Sequence, residues 1–227
     1  MTKASQLPRL VLYHAEASPP SCAVRMLGHI LDLDFHYKQP KLLLLEHKTP
    51  QFKKINPMGT IPVLQDGDFI VSESHAIMQY LCGLGGERGA RLYPREERAR
   101  AILHQCMYFD AAVMFNTVKS VALPTLLHGM KGATEKHLQS IEECYSVTEA
   151  YLRQPYMVGD HLTLADLSLS TTVAATNIIH ELNSNRFPRT ADWMNRMSQE
   201  DFYKKITKPG MDLLKKMLYK RWERNVF

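Results

Sequence analysis

Ser18, His47, Glu73 and Ser74 are the side chains of this 227-residue chain whose types and settings suit work on a bound peptide or thiol. Ser18 stands where an apolar run ends and Pro19-Pro20-Ser21 opens a helical pattern, and a hydroxyl at such a turn can face a ligand held on a sheet edge. Two roles are open to it. It can cap the free amides of the helix, or it can donate to a bound sulfur. The second role would matter chemically, because a thiol with a pKa of about 8.5 is only a few per cent ionised at neutral pH and the thiolate is the nucleophile. Tyr13 is the competing hydroxyl, but it lies inside the apolar run and is expected to pack. Glu73-Ser74 marks a second helix start. The amides there favour an anion and the Glu73 carboxylate favours an ammonium, so the place suits a zwitterion.

Between these two turns runs Asn56-Pro57-Met58-Gly59-Thr60-Ile61-Pro62. Proline has no N–H to give a ladder, so Pro62 is expected to begin a strand rather than sit inside one. A cis Ile61–Pro62 bond would turn the N–H and C=O of Ile61 outward, free to pair with an extended peptide. A site that pairs with a peptide backbone and holds both a carboxylate and an ammonium suits a short peptide with an amino-acid head group. His47, in Glu46-His47-Lys48-Thr49-Pro50, is a loop histidine for which plain solvation and ligand contact both stay open. Cys22, near a helix start, invites a redox reading through a lowered pKa, beside the plainer one of a buried small side chain.

The elements that must position these groups follow from hydrophobic period. Arg9–Tyr13 reads as a strand. Ala23, Val24, Leu27, Ile30 and Leu31 give a helix from Pro20, and Phe35–Gln39 a second strand. Pro40–Ile55 is expected to drape as loop and short helix. Asp66-Gly67-Asp68 joins two apolar runs as a hairpin, with Phe69-Ile70-Val71 as its second strand. A helix then runs from Ser74 to about Leu84, with Ser72 and Ser74 expected to accept its first amides. The order βαβ then ββα is the thioredoxin-like layout. Glycines and polar residues from Gly83 to Pro94 read as a linker, dividing the chain into residues 1–86, a linker at 87–94 and residues 95–227. The last part shows helical periods and no strand. Ala99, Ile102, Leu103, Cys106 and Phe109 share a face from Arg95 to about Ser120. Leu138, Ile141, Tyr145 and Thr148 share another from Thr134 to about Leu152. Thr163 and Asp166 stand at capping-box spacing, with Leu162 and Leu167 at the spacing of a hydrophobic staple. Tyr108, Val113, Met114 and Phe115 on one helix, with Met211, Leu214, Met217 and Leu218 on the last, are expected to line an apolar pocket.

Composition bounds the rest. An apolar fraction of 45% and a net charge of +5 describe a globular chain without a strong polyelectrolyte character. Met1–Pro8 has no secretory pattern and no apolar run approaches a membrane span, so a soluble, cytoplasmic protein is expected, with no membrane or nucleic-acid partner. Lys215, Lys216, Lys220, Arg221 and Arg224 read as a solvated helix face. Cys22, Cys82, Cys106 and Cys144 are scattered without ligand spacing, so neither a disulfide framework nor a metal site is expected.

The Asn-Pro turn, the Ile61-Pro62 strand entry and the Glu73-Ser74 helix start, in this order, resemble the glutathione transferases, and the likeness covers nearly the whole chain. Ser18-Pro19-Pro20 is similar to the turn of the serine-type insect delta and epsilon classes. Glu73-Ser74-His75-Ala76-Ile77 is closer to epsilon. The resemblance implies an α/β thioredoxin-like first domain, an all-α second domain and a homodimer. It also implies an enzyme that conjugates reduced glutathione to apolar electrophiles in detoxification, with glutathione as cosubstrate and no metal. By the same resemblance Ser18 supports the thiolate and Ile61 pairs with the peptide backbone. His47 and the Asn56–Gly59 turn hold the glycine end, Glu73 and Ser74 hold the γ-glutamyl head, and Met58, Thr60, Pro62 and His75 belong to the same contact set. Two departures stand out. Gly59 replaces a second histidine of the delta and epsilon pattern, leaving only a backbone N–H to offer, and Cys22 replaces an arginine. They favour an alternative, a non-catalytic binding protein of the same fold for hydrophobic ligands. A thiol oxidoreductase using Cys22 is a further one.

Overall fold

The computed structural model describes residues 10–223; Arg9 of the first strand and Arg224 of the basic run lie outside them. β1 (Leu10–Tyr13) runs parallel to β2 (Phe35–Lys38) and antiparallel to β3 (Val63–Asp66), which pairs antiparallel with β4 (Phe69–Ser72). The sheet order is β2-β1-β3-β4. Between β1 and β2 lies α1 (Pro19–Ile30), whose Cys22, Ala23, Val24, Met26 and Leu27 are buried. Prolines at its first turn are tolerated because the missing N–H groups would be unpaired there anyway. After β2 come two single turns, Leu42–Leu44 and Glu46–Lys48, and the short α2 (Pro50–Lys53). The hairpin leads into α3 (Ser74–Leu84), which packs against α1 on one face of the sheet. This is the thioredoxin-like arrangement expected from the order of elements.

The stretch read as linker is largely helical: α4 covers Gly86–Leu92. Glu87, Arg88, Ala90 and Arg91 are sound helix formers, and Leu92 is buried against the core. Four glycines concealed that anchor.

The rest is all helix: α5 (Glu97–Phe109), α6 (Phe115–His128), α7 (Glu135–Tyr151), α8 (Leu164–Ile179), α9 (Pro188–Gln199) and α10 (Lys208–Glu223). A π-helical turn at Asp110–Met114 joins α5 to α6 and another at Tyr203–Thr207 precedes α10. Such turns shift the register of the face that follows. α8 is buried on almost every side and packs on α1, α5, α6 and α10, so one helix sets the relation of both lobes. Its start is held as the sequence suggested, and more strongly. Asp166 accepts from Thr163 N and Thr163 Oγ1, each at 2.9 Å, from Met157 N at 2.9 Å and from Trp193 Nε1 at 3.0 Å. Burial raises the pKa of this carboxylate, and the four donors oppose the rise.

Candidate active site

The Ser18 turn is built before its side chain is used. Ser18 N–H donates to Ala15 O at 3.2 Å, Ala15 N–H donates to Ser21 Oγ at 3.3 Å, and Cys22 N–H returns to Ser18 O at 2.9 Å. The Ser18 hydroxyl caps nothing and has no partner among the described residues. The capping role is therefore excluded, and a half-buried donor stands free at the start of α1. Tyr13 packs as expected. Its ring meets Phe52 edge-on at 5.7 Å and its hydroxyl accepts from Lys38 Nζ at 3.2 Å.

Cys22 is fully buried, its thiol donates to Glu16 O at 3.2 Å, and burial pushes its pKa up to about 12. That is the opposite of a reactive thiol, so the redox reading fails. Cys82, Cys106 and Cys144 are likewise buried and form no disulfide among the described residues. The same carbonyl of Glu16 meets α10. A Cβ on Gly210 would lie 2.3 Å from Glu16 O and 2.9 Å from Cys22 Sγ. Only glycine lets the last helix close over the Ser18 turn, a contact that sequence reading missed. A glycine behind Pro209 in an otherwise helical pattern was its one visible sign.

The Asn56–Pro62 segment is a fixed turn beside His47. Asn56 Nδ2 donates to Thr60 O at 2.9 Å and Thr60 Oγ1 at 3.0 Å, Met58 N–H donates to Asn56 Oδ1 at 3.2 Å, and Gly59 N–H donates to Asn56 O at 2.8 Å. The N–H groups of Met58 and Gly59 are thus used within the turn, contrary to the expectation for Gly59. Gly59 has φ +57°, and a Cβ there would lie 2.5 Å from His47 O. The missing histidine side chain is thus a packing requirement of this turn. His47 is half-buried. Its Nδ1 is buried without a partner, and burial followed by the charge of Lys48 lowers its pKa. The Ile61–Pro62 bond is cis. Ile61 N–H and C=O pair with no other backbone group of the described residues, and β3 begins one residue after Pro62.

Glu73 takes φ +70° as the residue before α3, and its exposed carboxylate forms no ion pair among the described residues. A left-handed glutamate is strained by about 1–3 kcal/mol, a conformation that functional sites tend to hold. No side chain caps α3, so Ser72 and Ser74 do not accept its first amides as expected. Those amides remain open to an anion. His75 does not join them. Its Nε2 lies 2.6 Å from Ser168 Oγ and 3.2 Å from Asp110 Oδ2, and Ser168 Oγ also donates to Asp110. Through Nε2 the imidazole therefore ties α3 to the π-helical turn and α8.

The expected apolar pocket is redrawn. Met114, Met211, Leu214 and Leu218 are core side chains, whereas Tyr108 and Val113 are exposed and Phe115 is half-buried under Lys119 Nζ at 5.5 Å. A cleft of about 500 Å3 lies instead between the Leu42–Leu44 turn and α10, lined by Leu43, Leu213, Lys216, Met217, Lys220 and Arg221. Met217 is the one expected residue in it. One position on a helix is a rotation of about 100°, which is the difference between Leu214 in the core and Leu213 at the cleft.

Residues 12–89 match the family description "Glutathione S-transferase, N-terminal domain" and residues 107–201 match "Glutathione S-transferase, C-terminal domain". Glutathione S-transferase 1 of Manduca sexta is 34% identical over 211 residues, spanning 92% of this chain and 97% of the relative. The chain belongs to the glutathione S-transferase family. Among solved structures, an epsilon-class glutathione S-transferase from the housefly Musca domestica superposes with a TM-score of 0.90 at 33% identity, covering 93% of this chain and 98% of that one. A glutathione transferase homologue from Drosophila mojavensis, solved with bound glutathione, gives a TM-score of 0.90 at 30% identity over 95% and 98% of the two chains. A glutathione S-transferase takes glutathione as cosubstrate and joins its sulfur to an electrophile. In this transferase the described residues contain no group of three or more His, Cys, Asp or Glu that converges as metal ligands, and no helix long and apolar enough to cross a membrane.

Proposed function

We propose that this transferase conjugates glutathione to electrophiles through a thiolate held by Ser18. The observation that carries the reading is the Ser18 hydroxyl, free of any cap and fixed by a hydrogen-bonded turn at the start of α1. Ile61 pairs with the extended peptide backbone, with Thr60 and Pro62 shaping that edge. Glu73 takes the ammonium of the γ-glutamyl head, and Ser74 with the open amides of α3 takes its carboxylate. His47 and the Asn56–Gly59 turn meet the glycine end. The thiol proton leaves to solvent, and Ser18 O–H donates to the sulfur anion. Lowering the thiol pKa by about two units requires about 2.7 kcal/mol, within reach of one or two charge-assisted bonds. The sulfur then attacks the electrophilic carbon, and the leaving group departs with its electron pair.

The test is a pH titration of the ultraviolet thiolate absorbance of bound glutathione, with Ser18→Ala alongside. The native protein is expected to show thiolate near neutral pH. The variant should lose it and lose about 100-fold in kcat, with little change in glutathione affinity. Equal losses in turnover and affinity would make Ser18 a binding group only.

The reading extends to a cytoplasmic homodimer of two-domain subunits, divided at residues 1–86 and 95–227. Exposed Phe69 and Ile70 on the outer strand β4 and exposed Ile102 and Tyr108 on α5 support it as surfaces that a second copy would cover. Light scattering should return twice the chain mass, and a monomer at micromolar concentration would refute it.

A further inference from the structure

Resting on the transferase reading, we propose that the electrophile side of this site takes amphipathic anions: an apolar body carrying a carboxylate, sulfate or phosphate. The cleft between the Leu42–Leu44 turn and α10 has two chemistries along one helix. Leu213 and Met217 follow each other at i and i+4 as its apolar floor, with Leu43 opposite. Lys216, Lys220 and Arg221 form its rim. Its volume of about 500 Å3 suits a small molecule rather than a protein.

The lysines of this region are not all alike. Lys205 and Lys208 each have an acid one turn along the helix, Asp201 at 2.7 Å and Asp212 at 3.0 Å. Lys216 and Lys220 have no ion-pair partner among the described residues. They also stand at i and i+4 on the cleft side, where like charges repel each other. The helix dipole rewards cations in the last turn and so accounts for Lys220 and Arg221, but Lys216 lies further in. An anion between the two ammonium groups would relieve the repulsion.

The cleft adjoins the proposed chemistry at both walls. Leu43 precedes His47 by one short turn, and Leu213 follows Gly210, the residue that touches the Ser18 turn, by less than one turn of helix. A ligand whose head group is held at the rim therefore presents its body toward the thiol.

Two aryl chlorides test this, 4-chloro-3-nitrobenzoate and its methyl ester. In each, the glutathione sulfur bonds to the carbon bearing chlorine and chloride leaves with the electron pair. Each kcat/KM is divided by the uncatalysed rate with glutathione in the same buffer. The double variant Lys216→Glu, Lys220→Glu should lower the benzoate-to-ester ratio about tenfold, and added salt should lower that ratio for the native protein. A ratio unmoved by charge reversal overturns the proposal. Lys216→Gln with Lys220→Gln should give an intermediate ratio, which separates charge from misfolding. A binding arm without glutathione compares anilinonaphthalene sulfonate with uncharged N-phenyl-1-naphthylamine by fluorescence. If neither aryl chloride turns over but the sulfonate binds selectively and the charge-reversed variant loses that selectivity, the anion cleft stands and the conjugation reading fails. If the two probes bind alike, the cleft assignment fails.

Discussion

The two lobes of this transferase keep their constrained groups in different places. In the first lobe the constraint sits at the rim, where Gly59 and Glu73 hold left-handed backbone and Asn56 ties its turn with four hydrogen bonds. In the second lobe it sits deep inside, where Asp166 collects four donors beneath α8, while the α10 surface facing the cleft presents the side chains of Leu213, Lys216, Met217, Lys220 and Arg221. A rim fixed by main-chain geometry can read one ligand with a constant backbone. A rim of flexible side chains over a rigid interior can vary its ligand without disturbing the fold. Under the proposed function, the contrast separates the half assigned to a constant cosubstrate from the half assigned to the variable partner.

The largest effect is expected in the interior. Asp166→Ala strands the N–H groups of Met157 and Thr163 and Nε1 of Trp193, and should destabilise by about 3–5 kcal/mol. Thermal or urea unfolding measures it, and at temperatures where the variant is folded its glutathione affinity should be close to native. A loss of affinity as large as the loss of stability would break the contrast. Gly59→Ala should do the reverse at a smaller scale. The methyl must displace the His47 carbonyl from a left-handed position, so about 2 kcal/mol of stability is lost, and calorimetry should find glutathione binding weakened with it. Unchanged binding in this variant would mean that the rim is merely structural.

The smallest effect concerns His14, buried at the end of β1 with both ring nitrogens unpartnered. Burial, and then the charge of Arg25, lower its pKa to about 4 from an ordinary value of 6.5. The unfolded chain thus binds the proton first as pH falls. The stability contributed by a neutral His14 is full above about 6.5 and declines toward about 4, by about 1 kcal/mol between pH 7 and 5.5. Unfolding of His14→Phe across that range should be flatter than native by this amount. A parallel pH dependence would place His14 outside the balance.

What was legible in the sequence follows the same division. The Thr163–Asp166 spacing, the cis-proline strand entry and the Ser18 turn are local devices, and local spacing reveals them. Gly59 was visible only as a departure, since its cause is a carbonyl twelve residues away. The cleft was only partly legible: Met211, Leu214 and Leu218 share one helical stripe that α10 buries, while Met217 and Leu213 face the cleft, and spacing alone does not tell a core stripe from a cleft-lining one. The His75–Asp110–Ser168 cluster joins positions 35 and 58 residues apart. No spacing rule encodes it.

The contact of Gly210 with the carbonyl of Glu16 bears on inheritance as well as on geometry. A recombinant that takes its last helix from one relative and its opening turn from another joins two surfaces that never met, and a single methyl at position 210 is enough to part them. The first and last helices of this chain are therefore expected to be exchangeable only as a pair, although nearly the whole sequence separates them.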